Sequence, residues 1–173
     1  VNDFRSSVIN SICGHTAASR AYSIAFFYCS RNSAEPERAD PAKIMGALLR
    51  QFASSSPDTP IKEPVASEYE ARKRQADDDC SRLKELTIDD CTRLILELTH
   101  DSQATIVIDA LDECDDSGQL LRALQRIVRE SKELVKIFVT SREDVDIVSF
   151  FLPDCYPQSP SAVHWAPSVI DIG

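Results

Sequence analysis

Thr105-Ile106-Val107-Ile108-Asp109-Ala110-Leu111-Asp112-Glu113-Cys114-Asp115-Asp116 is the stretch that decides the fold of this chain. It opens with four β-branched or apolar residues and no polar alternation, the pattern of a strand buried on both faces of a sheet and too short for a buried helix. The run ends in acid: Asp109 falls where the strand gives out, and Asp112 and Glu113 follow it closely. The carboxylates therefore gather at the carboxyl edge of a parallel sheet, where open α/β sheets bind ligands. Such crowding needs a cation or a hydrogen-bond network. Magnesium on a phosphate-bearing substrate suits it, because the ion keeps most of its water and takes one or two carboxylates. Taken alone, the cluster reads equally well as a solvated acidic loop.

The residues that follow supply context. Gln119 to Glu130 places Leu120, Leu121, Leu124, Ile127 and Val128 on one face at helical spacing, and Val135-Lys136-Ile137-Phe138-Val139-Thr140 is a second apolar strand. Strand, helix and strand in that order make a right-handed crossover and a parallel pair. The second strand ends in Thr140-Ser141-Arg142, which brings hydroxyls and a guanidinium to the edge that holds the carboxylates. Arginine's planar fork fits a phosphate. A capping or surface role fits the spacing of Arg142 as well.

With these residues in view, Ile108 to Cys114 resembles the Walker B segment of NACHT-type signal-transduction NTPases, particularly the fungal ones with a nephrocystin-3-like N-terminal domain. Lys136-Ile137-Phe138-Val139-Thr140-Ser141-Arg142 is similar to their sensor 1 strand. Phe26-Phe27-Tyr28-Cys29-Ser30-Arg31-Asn32, followed by Arg38-Ala39-Asp40-Pro41, also resembles the family, in the right order. The likeness runs from about Ser6 to Val148. It implies an α/β P-loop NTPase-like fold in three layers, a parallel sheet with helices on both faces. In that sheet Ala21 to Cys29, Thr105 to Asp109 and Lys136 to Thr140 are neighbours in that order. It further implies Mg²⁺ and ATP or GTP as cofactors, with Asp109 as the metal residue and Asp112 or Glu113 as the catalytic residue that orients and deprotonates the attacking water. Thr140, Ser141 and Arg142 would bind the nucleotide and sense its γ-phosphate. Such domains act as cytoplasmic switches whose state is read by a protein partner or an oligomer.

Composition agrees with a domain of this size. The 173 residues, 43% hydrophobic and 27% charged, are enough to bury a core. No apolar run approaches membrane-spanning length and no signal peptide is visible. The net charge of −9 argues against nucleic-acid binding, which needs a basic face. The six cysteines, Cys13, Cys29, Cys80, Cys91, Cys114 and Cys155, form no C-x-x-C pair and are expected to be reduced and, for the most part, packing residues. His15, His100 and His164 stand apart from one another and suggest no zinc site.

Along the chain, Phe4, Val8, Ile9 and Ile12 mark a helical face ending near Gly14, and Ala21 to Cys29 is a second buried strand. Asp40 and Pro41 open a helix that buries Ile44, Leu48 and Phe52. Pro64 to about Leu86 is expected to be a solvated helix outside the sheet. Thr87 and Asp90 form a capping box for a helix burying Ile88, Cys91, Ile95 and Leu98. Residues 1–148 are thus expected to form the partial NTPase-like domain, and 149–173, punctuated by Pro153, Pro157 and Pro160, an irregular tail.

By ungapped register with the family, Val1-Asn2 stands where the phosphate-binding loop would end, and G-x-x-x-x-G-K-[ST] does not occur in these residues. That loop supplies the backbone cradle, the lysine and a magnesium-binding hydroxyl. The sequence therefore reads as a fragment lacking the phosphate-loop strand and inactive alone, with an exposed strand edge that favours partners or self-association. Two other functions suit the residues. One is a non-catalytic protein-interaction module on a degenerate NTPase fold. The other is a magnesium-dependent phosphohydrolase built on Asp109 and Asp112.

Overall fold

The computed structural model describes residues 22–54, 58–132 and 134–142. Its centre is a parallel sheet of three strands, β1 (Tyr22–Tyr28), β2 (Gln103–Asp109) and β3 (Val135–Val139), in the order β1-β2-β3. The order is the one the family resemblance implies. Register runs Ala25 to Ile106 to Ile137, and Phe26 to Val107 to Phe138, so alternate rows point to opposite faces.

One face carries the core. Ala25, Ala104, Ile106, Ile108 and Val135 are buried in a single cluster with residues of three helices, α1 (Pro41–Ala53), α3 (Ile88–Leu98) and α4 (Ser117–Glu130). The helices have clear starts. Asp40 caps α1 by accepting from the Ala42 and Lys43 amides at 2.7 and 3.4 Å, and Pro41 gives up no hydrogen bond at the first position. Thr87 and Asp90 cap α3 reciprocally, as their spacing predicts. Helix α3 buries Leu94 as well as Cys91 and Ile95, while Ile88 and Leu98 pack only partly against the core.

The structure corrects the sequence-based expectation in two places. Helix α2 (Glu63–Asp78) stops well before Leu86. Asp77, Asp78 and Asp79 crowd negative charge at the end of the helix where the dipole is already negative, and Cys80 turns left-handed at φ 49°. Of its residues only Ala76 is buried, which agrees with a solvated helix outside the sheet. Second, β1 is not buried on both faces. Phe26 is 38% exposed and Tyr28 41%, whereas Val107 beside Phe26 in β2 is fully buried; among the described residues β1 stands at the edge of the sheet. The helix expected at Phe4 to Ile12 and the irregular tail expected for residues 149–173 lie outside the described residues, and among those described no second helical layer is seen.

The edge of β1 is nonetheless occupied at one point. Gln51 of α1 accepts from the Phe26 amide at 3.1 Å and donates to the Phe26 carbonyl at 2.8 Å, standing in for a neighbouring strand. No helix among the described residues is long and apolar enough to cross a membrane.

Ile106 lies fully buried at the middle of β2, between Ala25 and Ile137. Ile106→Ala is expected to cost about 2–5 kcal/mol in urea unfolding, the range for truncation in a close-packed core. A loss under about 1 kcal/mol would contradict this packing.

Candidate functional site

The site is built where β2 ends. Pairing continues past that point on both sides: the Cys29 amide donates to the Asp109 carbonyl, and the Thr140 amide to the Ile108 carbonyl, each at 2.9 Å. Three chain segments therefore arrive at one edge in register. Beyond Asp109 the chain turns sharply. Ala110 takes a left-handed conformation, φ 56° and ψ 51°, which is costly for a residue with a Cβ. A short 3₁₀ turn, Leu111–Glu113, follows, with Leu111 fully buried as its anchor.

Thr140 holds this turn in place. Its hydroxyl donates to Asp109 Oδ1 and accepts from the Ala110 amide, and its carbonyl accepts from the Leu111 amide. Asp112 faces Arg142, receiving Nε at 2.6 Å on one oxygen and the backbone amide at 3.1 Å on the other. The Ser141 hydroxyl approaches Asp112 at 3.5 Å. Glu113 turns the other way and accepts from the Arg31 amide at 2.9 Å. The edge thus brings together all six residues the sequence selected, Asp109, Asp112, Glu113, Thr140, Ser141 and Arg142. The three carboxylates do not converge on one point, and each has its own donor.

Electrostatics separate the carboxylates further. Burial pushes the Asp112 carboxyl up, but the Arg142 amide, guanidinium hydrogen bond and charge outweigh it and hold the group below its usual value. The same hydrogen bond holds Arg142 above its ordinary value. Beneath the turn, burial first and neighbouring charges second push Cys29 up to about 12, and burial pushes Cys114 up to about 11. Both thiols stay protonated and pack as small apolar groups, as their scattered spacing suggests. Cys13, Cys155, His15 and His164 lie outside the described residues.

Among the described residues no group of three or more His, Cys, Asp or Glu side chains is arranged to hold a metal ion. The donors at Asp109 and Thr140 are a carboxylate and a hydroxyl, the hard oxygen type that magnesium takes singly or in pairs with water completing its shell. That donor set fits such an ion. An open cleft of about 260 Å³ lies elsewhere, under α2, lined by residues that include Glu68, Arg72, Arg82 and Lys84. It shares no residue with the acidic edge.

A further participant is Arg31, which the sequence marks only as part of the Phe26 to Asn32 motif, with no role of its own. Arg31 reaches the turn from the loop after β1, its guanidinium donating to the Cys114 carbonyl at 3.1 Å and lying 3.3 Å from Asp115. Its position two residues beyond Cys29, at the end of the strand next to β2, was the available signal.

A family model described as Nephrocystin 3, N-terminal, matches residues 5–142. Neither the curated proteins nor the solved structures gave a match.

The Asp112 shift has a definite sign. A carboxyl held below its unfolded value, here 3.8, adds stability that is fully present above that value and is lost as pH falls through the folded one. Asp112→Asn is therefore expected to lower urea stability at pH 6, with the gap from wild type closing as the pH is taken below about 3.8. A gap of equal size at pH 6 and in strong acid would contradict the pairing.

Proposed function

The chain belongs to the nephrocystin 3 N-terminal family, by the match over residues 5–142, and from that premise we propose that it is part of a NACHT-type, P-loop signal-transduction NTPase domain. The observation that carries this reading is the meeting of acid, hydroxyl and guanidinium at one sheet edge, with Asp109 on Thr140 and Asp112 on Arg142. An edge of this kind is where parallel sheets receive phosphates.

Each residue then has a role. Asp109, oriented by Thr140, would hold Mg²⁺ directly or through water; when bound, the ion neutralises charge on the phosphates of ATP or GTP. Glu113 is the base we assign to the attacking water, because its carboxylate is aimed by a backbone amide, that of Arg31, whereas Asp112 is the resting partner of Arg142. Arg142 has an 81% exposed side chain and can exchange Asp112 for the γ-phosphate, with Ser141 beside it. Nucleotide occupancy would thereby bias two states of the 111–113 turn, which a protein partner reads. The G-x-x-x-x-G-K-[ST] loop is not among these residues, so nucleotide affinity is to be measured on the natural chain that carries them.

A second reading, the non-catalytic interaction module, has one observation in its favour. Phe26, Tyr28 and Phe138 are exposed on the sheet face opposite the core, and β3 has no strand beyond it among the described residues. A face of that kind suits a protein partner or a second copy.

Binding of fluorescent ATP and GTP with and without Mg²⁺ separates the two. A switch is expected to bind in a magnesium-dependent way, with Asp109→Asn weakening affinity at least about tenfold, or about 1.4 kcal/mol. Glu113→Gln should keep affinity within about twofold and lower turnover by about 100-fold or more. No binding by wild type, together with self-association in light scattering that Phe138→Lys abolishes, would support the interaction module instead.

A further inference from the structure

The loop between β1 and α1 touches the acidic turn more often than a passing connection would. Counted by donors, the Arg31 amide reaches Glu113 Oε2 at 2.9 Å, and its Nη2 lies 3.1 Å from the Cys114 carbonyl and 3.5 Å from that of Asp112. Its Nε stands 3.3 Å from Asp115 Oδ1, and the Asp115 amide returns to the Ala39 carbonyl at 2.9 Å. The loop is itself braced. Arg38 donates to the Tyr28 carbonyl at 3.2 Å and lies over the Tyr28 ring, while its carbonyl accepts from the Ser30 amide at 3.3 Å.

These contacts divide into two kinds. The Arg31–Asp115 ion pair is exposed on both sides, 61% and 65%, and an exposed pair contributes little. The bonds from the guanidinium to the Asp112 and Cys114 carbonyls act differently. A 3₁₀ turn leaves its last carbonyls without partners inside the turn, and Arg31 Nη2 donates to that of Cys114, the residue that ends the turn, and reaches that of Asp112 within it at 3.5 Å. With the turn fixed, the Arg31 amide is in place to bind one oxygen of Glu113 and so to set the direction of its carboxylate.

We propose that Arg31 is a positioning residue: its guanidinium holds the 111–113 turn so that its own amide can orient Glu113 at the acidic edge. Its catalytic consequence rests on the nucleotide switch proposed above, in which Glu113 directs water. The placement of Glu113 does not. The effect of Arg31 passes through Glu113.

Amide hydrogen exchange at position 31, followed by NMR on the whole chain, tests the placement without any activity. Wild type is expected to protect this amide, Glu113→Ala to remove the protection, and Asp115→Ala to keep it. Arg31→Ala should also remove it after correction for intrinsic rates, and Arg31→Lys, which lacks the fork, should keep less than half. Lys also serves as the readout where the Ala variant does not fold. An unprotected amide in wild type, protection retained by Arg31→Ala, or half or more of it retained by Arg31→Lys, overturns the proposal. Where wild type turns over Mg²⁺–ATP, Arg31→Ala is expected to lower kcat about tenfold with KM within about twofold; unchanged kcat overturns the catalytic consequence. Absence of turnover in wild type counts against the nucleotide switch alone, and the exchange result still decides the role of Arg31.

Discussion

The acidic edge depends on one side chain from the neighbouring strand. The Thr140 hydroxyl donates a hydrogen bond to Asp109 and accepts one from the Ala110 amide, while its backbone carbonyl accepts from the Leu111 amide. A left-handed alanine is an expensive way to end a strand, and it persists only where surrounding bonds fix it. Thr140 provides those bonds. Without them the 3₁₀ turn would lose its starting direction, and with it the separation of Asp112 towards Arg142 from Glu113 towards Arg31. The sheet, in turn, places Thr140: its amide continues the β2–β3 ladder through the Ile108 carbonyl.

The arrangement also explains how an acidic stretch survives beside a buried core. Asp109, Asp112 and Glu113 follow a strand whose inner residues are fully excluded from water, and their mutual repulsion would oppose folding there. Each carboxylate instead has a separate donor: a hydroxyl, an arginine and a backbone amide. Of the three donor residues the arginine has the most exposed side chain, 81%. It is the donor best able to leave, which suits a site that exchanges an internal partner for an anion.

Much of this was legible from residue order. A run such as Ile106-Val107-Ile108 has few other solutions than a buried central strand, and the caps at Asp40 and Thr87 follow from local hydrogen bonding that needs no distant partner. The failures share a cause. Whether Phe26 and Tyr28 are covered depends on sheet order and on what lies over the second face, and apolar character alone does not report either. The end of α2 was set by local charge at Asp77 to Asp79, a weak signal against a long polar helical pattern. The role of Arg31 was not legible because its contacts span 81 to 84 positions, a distance that the β1–β2 pairing closes.

The central claim is that the edge formed by Asp109, Thr140 and Arg142 receives a metal–phosphate group. Paramagnetic broadening by Mn²⁺ in the presence of ATP, mapped over assigned amide resonances of the natural chain, tests it most directly. The account predicts broadening centred on residues 109–113 and 140–142, spreading to Arg31 and leaving α2 untouched. Broadening centred on the cleft beside Arg72 and Arg82, or none at the strand edge, would contradict it.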